Sequence, residues 1–240
     1  MPPDAAHLLV AIETSSPVGS VAALLAGLPA AEERFEKGMR HGRELVPRLA
    51  RMCERLDRAP RTIDVVAVSI GPGSYTGLRV GVTCAKTLAF AVGAALVPVS
   101  TLAVVARNAD PEAPHVAVLA DARREQVYAA FFDRRNGDLE RRDPDAVLDP
   151  ADVLPHIRPG TLVIGDAPER YEAALRQPLL DAGARFAPAE AAVPRASQVA
   201  LLGWHAFRAG RTADPHDIVP RYLRRPEAVN RLEARRSRQA

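Results

Sequence analysis

The chain has 240 residues, 48% apolar and 25% charged, the balance of an ordinary globular protein and not of a wholly disordered one. No run reaches the roughly 18 to 20 unbroken apolar residues that a membrane helix needs. The longest, Leu88 to Val99, is too short and contains Pro98. The N-terminal MPPDAAHLLVAIE puts an acid before its apolar run and has no basic segment, so it does not read as a secretory signal. The expectation is a soluble, cytoplasmic protein with no membrane partner. Cys53 and Cys84 cannot build a disulfide framework or a zinc site by themselves, and both fall in apolar helical patterns as buried free thiols.

The pI of about 9.2 reflects a local excess of charge. From Val219 to Ala240, seven arginines and two glutamates give a net +5, which leaves −2 on the rest of a chain whose total is +3. A nucleic-acid-binding fold usually carries its basic face on the folded body. A basic tail either touches phosphates or is a solvated end, and both readings stand.

Hydrophobic periodicity places a strand at Leu8–Ile12, a turn at ETSSPVG and a second strand at Ser20–Leu25. A third extended segment, Ala30–Phe35, leads to a helix starting near Arg43. Leu45, Leu49, Met52 and Leu56 share one face of that helix, and Glu44, Arg48, Arg51 and Arg55 share the opposite one. Pro47 then has to fall in its first turn. Asp64–Ile70 is an apolar, β-branched run that feeds the loop GPGSYTGLR and a helix over Leu78–Val92. Val97–Val99 is a strand, and Ser100 caps a helix through Arg107.

The second half follows the same order. Val116–Ala120 and Val127–Phe132 are strands around the turn DARREQ, and Asn136-Gly137 marks a hairpin into Leu139–Arg142. Helix Ala151–His156, strand Leu162–Ile164, helix Glu169–Leu180 and a last helix, Ala196–Ala209, complete it; the last carries Val199, Leu201, Leu202 and Phe207. Each half is a strand-strand-strand-helix-strand-helix unit, so two α/β lobes facing each other across a cleft are expected. The first strand of each unit ends in a carboxylate, Glu13 and Asp121, beyond the strand ends where α/β sheets hold ligands.

The loop Gly71-Pro72-Gly73-Ser74-Tyr75-Thr76-Gly77 joins a buried strand to a helix start, where free N–H groups can face an anion. It is neither a P-loop nor a dinucleotide fingerprint, and anion contact and a purely structural role both remain open. Glu13 and Asp121 would hold Mg²⁺ through water beside a nucleotide, or each would simply cap its turn. Ser15 would hydrogen-bond a phosphate, but without a partner base it is a poor nucleophile. Six histidines show no i,i+4 pair and none lies near a cysteine, so no metal site is expected. The Leu78–Val92 helix is apolar nearly all round, with Gly81, Ala85 and Ala89 as a stripe for a neighbour, expected to be the first helix. Arg79, Val82, Lys86 and Phe90 are expected on a different face, turned towards a protein partner.

Four stretches carry a family resemblance. SIGPGSYTGLRVGVTCAKTLAF, VAIETSSPVGSVAALL, ADARREQVYAAFF and PRYLR together resemble the TsaB (YeaZ) family, bacterial proteins needed for threonylcarbamoyladenosine in tRNA. They run from residue 8 to residue 225 in the family's order. The resemblance implies an α/β, two-lobe actin-like ATPase (ASKHA, ribonuclease H-like) fold, with lobes at 1–110 and 111–225 and an Arg-rich tail at 226–240. It implies a non-catalytic subunit required for threonylcarbamoyl transfer to the adenosine next to the tRNA anticodon. Such a subunit binds the catalytic subunit TsaD, with the ATPase TsaE joining, or a second copy of itself when alone. tRNA is met indirectly through the complex, and ATP or ADP enters only within the assembly. TsaD holds its metal through H-x-x-x-H; here the position four after His41 is Leu45, so no catalytic or metal residue is expected.

The implied sites are a vestigial cofactor cleft of Glu13, Ser15, Gly71, Gly73, Ser74 and Asp121, and a helical interface of His41, Leu45, Leu49, Met52, Arg79, Val82, Lys86 and Phe90. Many family members have aspartate where Glu13 stands. The alternative function is a stand-alone ATPase or kinase of the same fold, against which stands the lack of an obvious phosphoryl-transfer base. A peptidase finds no triad or Cys–His pair.

Overall fold

The computed structural model describes residues 7–36, 38 and 41–224; the tail assigned to 226–240 lies outside the described residues. In the first half β1 (Leu8–Glu13), β2 (Ser20–Leu25) and β3 (Leu28–Arg34) precede α1 (His41–Arg55), and β4 (Ile63–Gly71), α2 (Tyr75–Val92), β5 (Ala95–Ser100) and α3 (Thr101–Ala106) follow. The second half runs β6 (His115–Asp121), β7 (Val127–Arg135), β8 (Asp138–Arg141), β9 (Ala146–Leu148), α4 (Pro150–Val153), β10 (Leu162–Ile164), α5 (Ala167–Arg170), α6 (Gln177–Asp181), β11 (Arg185–Phe186) and α7 (Ala196–Arg208). No helix among the described residues is long and apolar enough to cross a membrane.

The two halves repeat one topology. The first sheet is ordered β3-β2-β1-β4-β5 and the second β8-β7-β6-β10-β11, with β9 also on β7. In each, the first three neighbours pair antiparallel and the last pairs are parallel. β1 is buried at all six positions because the sheet is covered on both faces. Leu8, Val10 and Ile12 face α1 and α2, whereas Leu9 and Ala11 face α7 and Val104 of α3. α3 lies between the sheets: Val104 packs on the first, and Leu102, Val105 and Ala106 pack on the second.

Three features depart from the sequence expectations. α7 returns to the first sheet although it follows every strand of the second, so the lobe expected at 111–225 gives its last helix to its partner lobe. Its buried face is Ala196, Val199, Ala200 and Gly203; small residues suit close packing on a sheet, which leaves Leu201, Leu202 and Phe207 only partly covered. Pro47 lies in the second turn of α1, tolerated because Pro47 and Arg43, whose carbonyl loses its partner, are both exposed. The helix expected over Glu169–Leu180 is broken by a π-helical turn at Glu172–Arg176, where Gln177 N–H reaches back to the Glu172 carbonyl. Pro178 has no N–H to continue the regular ladder there.

The polar face of α1 is pinned to the sheet edge. Glu33 of β3 takes Arg55 at 3.0 Å and Arg48 and Arg51 at 3.6 Å each. Gly203 is the tightest contact of α7, since a Cβ there would lie 2.4 Å from that of Ala67. Gly203→Ala is therefore expected to lower stability by about 1–3 kcal/mol through overpacking. At an exposed helical glycine the same change would raise it by about 1 kcal/mol. The urea unfolding midpoint reads the sign.

Candidate functional site

The glycine-rich loop is spent on the chain's own backbone. Ser74 caps α2, its hydroxyl accepting from Gly77 N–H, and its own N–H donates to the Ser15 carbonyl at 2.7 Å. Thr14 donates its hydroxyl to the Gly77 carbonyl at 2.8 Å. A Cβ at Gly73 would lie 2.5 Å from the Ser15 carbonyl oxygen, one at Gly77 2.0 Å from that of Thr14, and one at Gly81 2.2 Å from the Thr14 hydroxyl. These glycines let the start of α2 lie against the β1–β2 turn. Gly81 thus faces β1, not the first helix as its stripe suggested.

Glu13 does not point into the cleft. It is fully buried, accepting from Ser15 N–H at 2.6 Å, from the Ser15 hydroxyl and from the Ser69 hydroxyl of β4. Burial pushes its carboxyl above the usual carboxylate range, and the Ser15 and Ser69 hydrogen bonds offset part of that rise. Ser15 is likewise buried. Ser69 and Thr14 are residues that the sequence reading missed. Ser69 had a signal, being the one polar side chain in the run VVAVSIG.

Asp121 is also engaged. Its carboxylate accepts from Tyr171 Oη and from Arg123 N–H, both at 2.7 Å, and Arg170 Nε lies at 3.1 Å. The turn that follows is unusual: Arg123, Arg124 and Glu125 have φ of 66°, 52° and 58°, a left-handed run that costs about 1–2 kcal/mol per residue. Arg224 donates to the Ala122 and Arg123 carbonyls and holds that turn. A magnesium nucleotide would need these carboxylates and helix-start N–H groups, so the isolated chain does not fit one. Among the described residues, no group of three or more His, Cys, Asp or Glu side chains gathers for a metal.

The PRYLR segment forms a strap between the lobes. Arg221 N–H donates to the Ile70 carbonyl at 2.6 Å, and its carbonyl would lie 2.7 Å from a Cβ at Gly71, where φ is +119°. The Arg221 guanidinium meets Asp145, whose side chain is fully buried. Asp145 also accepts from Arg141 and, at 2.7 Å, from the Ser100 cap of α3. Nothing in the local sequence around Asp145 marks this junction.

The expected helical interface divides. His41 is buried, its ring Nε2 2.9 Å from the Ser16 carbonyl; Leu45, Met52 and Val82 lie in the core. These four belong to the chain's own interior because α1 and α2 turn that stripe to the sheet. Lys86 ties the strap through the Ile218 carbonyl at 2.9 Å and that of His216 at 3.3 Å. Phe90 is exposed with its edge on His216. Leu49 and Arg79 line an apolar groove of about 710 Å³ between α1 and α2. The rest of its wall, including Val46, Ala50, Val80, Cys84, Thr87 and Leu88, sits one stripe over and was not singled out from the sequence. Burial pushes the Cys84 thiol up to about 11, so it stays protonated and apolar.

A family model described as TsaD, tRNA N6-adenosine threonylcarbamoyltransferase, matches residues 36–231. The tRNA threonylcarbamoyladenosine biosynthesis protein TsaB of Bacillus subtilis (strain 168) is 33% identical, over 92% of this chain and 95% of its own. YeaZ from Pseudomonas aeruginosa superposes with a TM-score of 0.76 at 27% identity, covering 89% of this chain and 100% of that one. ROK hexokinase from Thermus thermophilus, at a TM-score of 0.50 and 11% identity over 85% of this chain and all 100% of its own, shares the two-lobe actin-like fold and nothing finer.

Glu13 generates a pH prediction. With its pKa raised on folding, the native state keeps a proton that the unfolded chain loses. Its contribution to stability therefore falls as pH rises from about 4.3 through the folded value. Glu13→Gln removes that decline while keeping an acceptor for Ser15. Urea midpoints across pH for the two proteins should converge in acid and separate towards neutrality in favour of the variant; parallel profiles would refute the assignment.

Proposed function

Because the chain belongs to the TsaB (YeaZ) family of tRNA threonylcarbamoyladenosine biosynthesis proteins, we propose that it serves that pathway as a non-catalytic subunit, docking a TsaD-type catalytic subunit through the α1–α2 groove. A TsaE-type ATPase then joins the assembly. The observation that carries this reading is the groove itself, an apolar channel whose single charged wall residue is Arg79. Val46 on its rim is 61% exposed, although β-branched apolar residues normally pack inside. An apolar centre with an arginine at the edge is the usual anatomy of a protein interface.

The choice of partner follows from relatedness. The family model that matches this chain is described as TsaD, which supports a partner of related fold that offers a comparable pair of helices. Face-to-face packing of two such pairs buries both grooves at once. The same geometry lets a second copy of this chain take the place of an absent partner. A supporting role in place of chemistry agrees with the internal engagement of Glu13, Ser15 and Asp121, which leaves none of them free as a base or nucleophile.

Thr87→Arg and Ala50→Arg test this. Both positions are exposed in the free chain, so folding should be unaffected. A charge trapped in an apolar interface costs roughly 3 kcal/mol or more, about a hundredfold in affinity. Loss of co-elution with the TsaD-type subunit, at an unchanged unfolding midpoint, is the expected result. Val82→Arg should instead unfold the chain, since Val82 is 2% exposed. Normal co-elution of both groove variants would overturn the reading.

A further inference from the structure

α1 turns its two flanks to different surroundings. Val46, Leu49, Ala50 and Cys53 wall the apolar groove. Arg48, Arg51 and Arg55 lie on the other flank, beside a cavity of about 600 Å³ between α1 and β3. Every residue lining that cavity is charged: Glu33 and Arg34 of β3, and Arg48, Arg51, Glu54 and Arg55 of α1. Guanidiniums therefore outnumber carboxylates there two to one. Residues 1–224 as a whole carry no net charge, so this positive excess is local.

Glu33 gathers the arginines of α1. Its side chain is 12% exposed and takes Arg55 at 3.0 Å and Arg48 and Arg51 at 3.6 Å each. Arg48 is fixed further by Glu44, which accepts at 2.6 and 2.8 Å, and by the Phe35 ring, whose centroid lies 5.6 Å away. It is spent on those contacts. Arg51 and Arg55 are not, at 58% and 63% exposed. One carboxylate cannot saturate several guanidiniums, each of which carries a fork of N–H donors. At 3.6 Å Arg51 is outside hydrogen-bond distance of Glu33, so its donors remain available. Exposed ion pairs add little to stability, and the fold therefore does not account for so many arginines on Glu33. What they gain is a fixed position before any ligand arrives, which lowers the ordering cost of binding an anion.

Arginine forks match phosphate oxygens in geometry and charge, so phosphate is the group that this lining suits. Shape separates the sources of phosphate. Arg48, Arg51 and Arg55, at i, i+3 and i+7, spread over about 10 Å of α1, an open row and not a nest closed around one group. Such a row follows successive phosphates of a nucleic-acid strand. We infer that Arg51 and Arg55, with the exposed Arg34 beside them, form a phosphate-contact row for an RNA backbone. This rests on the chain's place in tRNA threonylcarbamoyladenosine biosynthesis and not on the groove. It adds direct RNA contact to a protein expected to meet tRNA only through its complex. RNA on this row lies along the flank of α1 away from the groove, so it does not compete with a docked subunit. Phosphate contacts carry no base information, so the row positions RNA without selecting its sequence.

The test uses the full chain and a fluorescein-labelled RNA hairpin, read by anisotropy over a range of salt. Arg51→Gln and Arg55→Gln together should weaken binding about tenfold and reduce the slope of log K against log salt by about 1 to 2, as expected for two lost phosphate contacts. Two hairpins of unrelated loop sequence should lose affinity equally. Arg51→Lys with Arg55→Lys keeps the charges and should keep most of the slope. Arg61→Gln with Arg211→Gln removes the same charge from exposed positions outside the row and should leave the slope at the parent's value. Urea midpoints near the parent's show that the variants remain folded. A parent slope in the Arg51, Arg55 variant would overturn the inference, as would an equal fall in the Arg61, Arg211 control, which would make the effect one of net charge. Calorimetry with ATP separates the other source: ATP binding lost in the Arg51, Arg55 variant at an unchanged RNA slope would make this a nucleotide site and overturn the RNA assignment. Thr87→Arg should keep RNA binding, so failure of the docking proposal and failure of this one give different results.

Discussion

The start of α2 approaches the β1–β2 turn more closely than any side chain would permit, and much of the molecule is arranged around that contact. At Gly73, Gly77 and Gly81 a Cβ would lie between 2.0 and 2.5 Å from Thr14 or Ser15 atoms, distances at which one side or the other has to move. The approach is held by the Thr14 hydroxyl on the Gly77 carbonyl and by Ser74 N–H on the Ser15 carbonyl. Because α2 is seated this low on the sheet, its Val82, Ala85 and Ala89 reach the strands. Its Val80, Cys84 and Leu88 are left on the opposite side, where they wall the groove with α1.

The same contact converts what would be a ligand cleft into a structural junction. Ser15 is placed to give both its N–H and its hydroxyl to Glu13, and Ser69 completes the set from the neighbouring strand. A buried carboxylate is costly unless its lone pairs are occupied, and three donors occupy these. On the other side of the cleft, Asp121 and Asp145 are consumed in the same way, by Tyr171 and Arg170 and by Arg141, Ser100 and Arg221. Three carboxylates near the lobe junction therefore hold backbone turns, a helix cap and the strap. The strap crosses between the lobes, and its arginines take polar contacts there.

The duplicated topology was legible because each half writes its strands as short apolar runs separated by turn residues, and Asn136-Gly137 adopts the positive φ values its hairpin needs. What escaped was short or non-local. β9 and β11 have three and two residues and are at most partly buried, so neither stands out as a core strand in the way that the equally short, wholly buried β10 does. Asp145 meets Ser100 and Arg221 across 45 and 76 positions, a pairing that no local pattern signals. Four of the expected interface residues, His41, Leu45, Met52 and Val82, lie in the interior for a different reason. Apolar spacing on an amphipathic helix reports the stripe that is buried, and in α1 that stripe, Leu45, Leu49 and Met52, is buried by the chain's own sheet. A second apolar stripe bearing Val46 and Ala50 is too weak to stand out from the polar residues around it.

That second stripe explains why the groove stays open. A helix apolar on nearly every side has to be covered on nearly every side, and the chain has few elements with which to do so. α7 is committed to the opposite face of the first sheet by its contact at Gly203. α3 is held between the sheets. The strap covers one flank of α2, through Lys86 and the buried Ile218. The remaining flank, facing α1, has no further element of the described chain to cover it. α1 is tied to β3 on its other side, through Glu33 and its ion pairs to Arg48, Arg51 and Arg55, and the groove lies between the two helices. The apolar exposure is thus a consequence of where the other helices are anchored, and no element of the described chain removes it from water.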